Sequence, residues 1–238
     1  MSNRPFRFKK FDVHHDKCAM KVGTDGVLLG ALSGEKPHYS KILEIGLGTG
    51  LVSLMLAQRF EKAYIQGVEI DFDAFEQANQ NARSSPWFDR LSFEHEDFNE
   101  FFQNYEERFD LIVSNPPYFA SHLKSPNAKR NLALHTDSLS FEALLKGVNQ
   151  LLSEKGEFWV ILPEYETNIV TDMAVDMGFF LRISIEIKDS MEKTILRKIS
   201  SFTKNRNEIL NKSLSIKELN GEYSNDYKNL LKDFLIIF

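Results

Sequence analysis

A single cysteine, Cys18, stands in this chain of 238 residues. One thiol closes no intramolecular disulfide and excludes a cysteine-built metal knuckle. His14-His15-Asp16 sits nearby, but adjacent side chains diverge and the set lacks the usual ligand spacing, so no metal is expected. No apolar run approaches the roughly 20 residues of a membrane span. The opening MSNRPFRFKKF has basic residues but no apolar segment behind them, which argues against a secretory leader. These absences lead to the expectation of a cytoplasmic monomer with no membrane partner. Repeats, low-complexity tracts and linker-like stretches are missing too, and the composition, 42% hydrophobic and 26% charged, is that of an ordinary globular chain. One domain over residues 1–238 is expected: an N-terminal arm and helix (1–40), a core (41–203) and a C-terminal tail (204–238).

A strong excess of positive charge is also absent, the net charge being -5. Total charge decides little about a ligand, because screening at physiological salt has a length of about 8 Å and the local patch dominates. The cations able to form such a patch are Arg4, Arg7, Lys9 and Lys10, then Lys124, Lys129 and Arg130, then Lys193, Arg197 and Lys198. Taken singly they read as solvated faces, and only convergence on one cleft would make them a binding surface.

What is present is an alternation of strand-length apolar runs with segments of helical period. The runs KILEIG (41–46), AYIQGVEI (63–70), LSFEH (91–95), FDLIVS (109–114) and GEFWVILP (156–163) read as strands. LVSLMLAQRF, DAFEQANQNAR, NEFFQNYEER and SFEALLKGVNQLL read as helices between them. Such alternation implies an α/β fold with a mostly parallel sheet covered on both faces. FLRISIEIKD and TILRKISSFTK are joined by the short loop SMEK, which leaves no room for a crossover helix, so they should pair antiparallel. The pattern therefore implies a Rossmann-like doubly wound sheet of seven strands closed by a C-terminal antiparallel hairpin, an arrangement that resembles, at the level of fold alone, the methyltransferase variant. Before the first strand, Thr24 or Asp25 is a candidate N-cap for a helix through GVLLGAL. Residues 1–20 read as an irregular basic-aromatic arm, and DYKNLLKDFLIIF as a last helix.

The first strand runs into Leu43-Glu44-Ile45-Gly46-Leu47-Gly48-Thr49-Gly50 and then a helix, the context in which a glycine turn carries weight. A dinucleotide fingerprint needs G-x-G-x-x-G, and its third glycine would fall on Leu51. G-x-G-x-G suits S-adenosyl-L-methionine instead, which has no pyrophosphate to cradle. Glu69, in GVEID about 20 residues on, is placed to accept from the ribose hydroxyls, as acids do in this fold. Asp97 follows the third strand, where it can accept from the adenine amine or act as a helix N-cap, two compatible roles. Asp71 has the same capping option. The donor-side candidates are Glu44, Gly46, Gly48, Gly50, Glu69 and Asp97.

The fourth strand ends in Asn115-Pro116-Pro117-Tyr118. Two prolines cannot continue a ladder, and strand ends in doubly wound sheets border the ligand crevice. Transfer to an exocyclic or amide nitrogen is hampered by a delocalised lone pair. The Asn115 side-chain oxygen and the Pro116 carbonyl can bind both amine hydrogens and favour a tetrahedral nitrogen. Tyr118 supplies a face on which a splayed-out base can stack. The bland alternative is a simple turn, since Asn and Pro are turn formers.

HHDKCAMKVGTDGVLLGALS, ILEIGLGTGLVSLMLAQR, GVEID, FDLIVSNPPYF and RNLALHTDSLSFEALL together resemble the YfiC-like tRNA1(Val) adenine-N(6) methyltransferases, over nearly all of residues 6–203. The resemblance implies methylation of adenine 37 in a tRNA anticodon loop, with tRNA as partner. It also implies that the KVGTDG segment closes the cofactor pocket, placing Lys21, Thr24 and Asp25 near the aminoacyl tail. Lys129 and Arg130 follow as phosphate contacts beside the active-site loop, and His135 as a residue facing RNA or satisfying a loop. The NPPY motif is shared with glutamine methyltransferases of peptide release factors, the runner-up, although those usually carry a separate helical N-terminal domain. A non-catalytic sensor of the cofactor or of RNA is the reading from another class.

Overall fold

The computed structural model describes residues 4–117 and 139–238. Ten strands and seven α-helices lie among them. The strands are β1 (Phe6–Arg7), β2 (Asp12–Val13), β3 (Lys41–Ile45), β4 (Tyr64–Glu69), β5 (Leu91–His95), β6 (Phe109–Ser114), β7 (Leu152–Leu162), β8 (Phe180–Ser190), β9 (Ile195–Thr203) and β10 (Leu210–Lys217). The helices are α1 (Thr24–Leu32), α2 (Leu51–Arg59), α3 (Phe72–Arg83), α4 (Phe98–Asn104), α5 (Phe141–Leu151), α6 (Glu164–Asp176) and α7 (Asn225–Leu231).

The main sheet has the order β10-β8-β9-β7-β6-β3-β4-β5. Its central strands pair in parallel, while β9 is antiparallel to both β7 and β8. The doubly wound sheet closed by a hairpin is as expected. An eighth strand joins it, because β10 adds in parallel to the far side of β8. The arm is less irregular than its sequence suggests, since β1 and β2 form a short antiparallel ladder, Phe6 opposite Val13. The last helix stops at Leu231, and α6 adds a helix between β7 and β8 beyond those expected from the sequence.

Side chains alternate between two layers, as the period of a strand requires. Ile42, Leu111, Val113 and Trp159 pack toward α1, α2 and α7, whereas Leu43, Ile45, Ile112 and Phe158 pack toward α4, α5 and α6. Helix α1 lies close on α2: a β-carbon at Gly26 would come 3.2 Å from Leu51, and one at Gly30 only 2.8 Å from Met55. The N-cap of α1 is Gly23 and no side chain caps it, so neither Thr24 nor Asp25 has that role; Asp25 instead turns to Arg197, its Oδ2 accepting from Nε at 2.8 Å. The carbonyls at the other end of α1 are taken by Arg59, which donates to Gly30 at 2.9 Å and to Ser33 at 2.5 Å, satisfying groups a helix leaves unpaired.

Candidate active site

Three strand ends build the site. Ile45 of β3 stands opposite Ser114 of β6 in parallel register, and the Ser114 hydroxyl donates to the Ile45 carbonyl at 2.9 Å. The next residues on each chain, Gly46 and Asn115, therefore leave neighbouring strands side by side, at the carboxyl edge where such sheets hold ligands. Asn115 is half-buried and Pro116 buried. Tyr118, Lys129, Arg130 and His135 lie outside the described residues.

The glycine turn is left-handed at all three glycines, with φ of +76° at Gly46, +52° at Gly48 and +74° at Gly50, a region L side chains avoid at a cost of about 1–2 kcal/mol. A β-carbon on Gly46 or Gly48 would meet none of the described residues within 4 Å. Among the described residues both glycines therefore border open space, whereas a β-carbon on Gly50 would come 3.2 Å from Ala78. Glu69, 9% exposed, accepts from the Gly48 amide at 2.8 Å through Oε2 and from the Asp71 amide at 3.0 Å through Oε1. A carboxylate offers about four lone-pair sites, so each oxygen keeps acceptor capacity for a hydroxyl. An open turn with such an acid beside it fits a bound adenosyl group.

Glu44 is placed differently from the other donor-side candidates. Its side chain points from β3 toward α2, where Oε2 accepts from the Ser53 amide at 2.8 Å and the Ser53 hydroxyl at 2.5 Å. It lies beneath the turn, only 3% exposed, and burial, aided by the nearby Glu69, pushes its pKa up to about 8. Asp97 caps α4, accepting from the Asn99 amide at 2.8 Å. Asp71 caps α3 through Ala74 at 2.8 Å. Asp97 also lines a cleft with Ile70, Phe75, Phe93, Glu94, His95 and Glu96, at the end of the strand following Glu69. Lys21 and Thr24 are exposed, ahead of the α1 turn that packs on Leu51.

Two residues that sequence reasoning passed over hold the arm to this site. Asn81 of α3 is buried; its amide donates to the His14 carbonyl at 2.8 Å and the Thr49 carbonyl at 2.9 Å, while its oxygen accepts from the His14 amide at 2.9 Å. Gln77, one turn earlier and equally buried, accepts from the Lys17 amide at 3.2 Å. A signal was there: Gln77 and Asn81 share a helix face with Ala74 and Ala78, an odd place for amides unless they bond. Cys18, carried in by this arm, is buried beside Glu69 and Asp71, and its pKa is pushed up to about 12 by desolvation and those acids. The thiol is inert at neutral pH. Among the described residues no three His, Cys, Asp or Glu side chains group to hold a metal ion.

The methyltransferase small domain family matches residues 19–168. The chain is 41% identical to the tRNA1(Val) (adenine(37)-N6)-methyltransferase of Bacteroides thetaiotaomicron over 99% of both chains. It is also 41% identical to that of Pedobacter heparinus over 98% of both. In fold it is similar to the crystal structure of a protein from Agrobacterium tumefaciens described as a predicted O-methyltransferase (TM-score 0.70, 16% identity, 88% of this chain and 96% of the other). It is similar as well to a glycopeptide N-methyltransferase in complex with S-adenosyl-L-methionine (TM-score 0.51, 12% identity, 70% and 87% covered). Taken with the open glycine turn and the strand ends around it, these likenesses place the chain in the tRNA1(Val) (adenine(37)-N6)-methyltransferase family, within the methyltransferase small domain fold.

Proposed function

We propose that this protein methylates N6 of adenine 37 in the anticodon loop of a tRNA of the tRNA1(Val) type, acting as a monomeric single unit in the cytoplasm. The observation that carries the reading is the register of β3 and β6, which sets the Asn115-Pro116 end beside an open glycine turn. S-adenosyl-L-methionine supplies an electrophilic methyl group on a sulfonium, which leaves as a neutral thioether.

On the donor side Gly46, Gly48 and Gly50 shape the turn, and Glu69 accepts from the ribose hydroxyls with its remaining lone pairs. Asp97 accepts from the adenine amine while capping α4. Lys21, Thr24 and Asp25 close the pocket at the aminoacyl end, and Glu44 answers the cofactor's positive charge from below. On the acceptor side the Asn115 side-chain oxygen and the Pro116 carbonyl bind the two amine hydrogens of the target adenine. As the nitrogen lone pair forms its bond to carbon, these acceptors stabilise the charge growing on nitrogen, an interaction stronger in the transition state than before it. One amine proton then leaves to solvent, and no side chain has to remove it earlier. Tyr118 stacks on the extruded base, and Lys129 and Arg130 hold its flanking phosphates.

The test is transfer of labelled methyl from S-adenosyl-L-methionine to total tRNA lacking its native modification, followed by nucleoside analysis. Label in N6-methyladenosine, formed about 10²–10³ times more slowly by Asn115→Ala, is the expected result. Label in a protein fraction and none in RNA would overturn it in favour of a glutamine acceptor.

A further inference from the structure

The C-terminal strand does more than widen the sheet. Between the start of α1, the β8–β9 hairpin and the segment after β10 lies a cleft of about 410 Å³, whose walls include Asp25, Asp189, Leu196, Arg197, Lys217 and Tyr223. Its edge is the catalytic one. Both β7 and β8 run antiparallel to β9, so β8 and its parallel neighbour β10 end where β3 and β6 end. Three strand steps separate β8 from β6 in the sheet order, about 14 Å at the usual spacing, a distance that a few nucleotides of single strand cover.

The lining has a definite chemistry. Tyr223 stacks on Tyr227 with centroids 5.4 Å apart and meets Phe238 edge-on at 5.2 Å, yet remains 38% exposed. A ring held by two others loses little freedom when a planar ligand covers it. Arg197 is fixed by its 2.8 Å contact with Asp25. Lys217 pairs with Asp189 at 3.1 Å, both side chains more than 40% exposed, so the pair is weak and can open to another partner. Two carboxylates would repel a small free anion. A nucleotide satisfies the whole set: a base for the aromatic ring, a phosphate for Lys217, and hydroxyl or amine hydrogens for Asp189.

We infer that this cleft holds a nucleotide of the substrate RNA flanking the methylated adenine, which makes the segment after β10 part of substrate recognition. The inference rests on the RNA-methylating reading above. It accounts for Tyr223 and Lys217, which the methyl-transfer chemistry does not use.

The experiment compares the full-length protein with Tyr223→Ala, Tyr223→Phe and Lys217→Ala on unmodified tRNA, measuring kcat and KM at several salt concentrations alongside cofactor affinity. Losing a base stack should raise the tRNA KM about tenfold in Tyr223→Ala, with kcat and cofactor affinity within about twofold, while Tyr223→Phe behaves as wild type. Lys217→Ala should lower the slope of log affinity against log salt by about one. Lys217 is exposed, so its variant keeps the test intact should Tyr223→Ala lower the thermal midpoint. Wild-type KM in Tyr223→Ala together with an unchanged salt slope in Lys217→Ala overturns the inference, while wild-type methylation of the same tRNA leaves the functional reading standing. Absence of any methylation of RNA by the wild type, or transfer to a protein that tracks these variants, removes the reading and the inference with it.

Discussion

Glu44 shows how far packing changes a residue that sequence alone marks only as part of a motif. In the folded protein its carboxyl holds a proton up to pH about 8, against 4.5 ordinarily. The folded state therefore binds a proton that the unfolded chain releases between those values. Stability owed to this group is complete below about pH 4.5 and falls as pH rises toward 8. Replacing it by Gln should flatten that decline, and denaturant midpoints for wild type and Glu44→Gln at about pH 5 and pH 9 check this. A ligand bringing a sulfonium and an ammonium favours the ionised form. Cofactor affinity of the wild type should thus increase from pH 6 to pH 8 with proton release, read by calorimetry in buffers of different ionisation enthalpy; Glu44→Gln should show neither. At the acceptor, Asn115→Ala should lower kcat by about 10²–10³, the usual size for one oriented electrostatic contact. Its cofactor affinity should stay within about twofold, which separates a catalyst from a sensor.

Among the elements, α3 couples parts that sequence reading treats apart. Its N-terminus is set by Asp71, whose amide donates to Glu69 and so ties the helix start to the acid beside the glycine turn. Its buried face holds the arm and the glycine turn together through Asn81. Removing that amide strands the half-buried carbonyl of His14 and the buried one of Thr49, a buried loss costing about 1–3 kcal/mol. Asn81→Ala should lower the unfolding free energy by roughly 2 kcal/mol and weaken cofactor binding severalfold, as thermal shift with and without cofactor would record. The hydrophobic period made α3 itself legible. Its partner was not, because a hydrogen bond between positions 67 residues apart leaves no local trace.

For the whole molecule, the unexpected feature is how much of the core the C-terminal segment supplies. Leu214, Tyr227, Leu231, Phe234 and Leu235 join the cluster formed by Phe8, Val13, Leu28 and Ile185, and the Lys9 amide donates to the Phe234 carbonyl at 2.8 Å. The N-terminal arm and the tail thus bury each other. Leu231→Ala should cost about 2–5 kcal/mol as a large-to-small change at a closed site, with chemical denaturation as the measure. Truncation after Thr203 should leave the β8 edge and an apolar face open, giving aggregation on size-exclusion chromatography. Among the described residues, cations named from sequence are engaged locally: Lys9 binds the Phe238 carbonyl at 2.7 Å, Lys198 pairs with Glu164 at 2.9 Å, and Arg197 turns to Asp25; Lys124, Lys129 and Arg130 lie outside the described residues.

Sequence by itself determined the alternation of strands and helices, the glycine turn, its acid and the Asn-Pro-Pro end, because each depends on residues close along the chain: periodic apolar burial, positive φ at glycine, proline's missing donor. Only the tertiary structure decided which of these meet. Register set Gly46 beside Asn115, alternation across β3 sent Glu44 under the turn, and the eighth strand and the segment after it brought Lys217 and Tyr223 to the sheet edge at which β3 and β6 end. Those outcomes follow from how strands order themselves in a sheet and which faces remain to be covered, and such choices are made by contacts between distant segments.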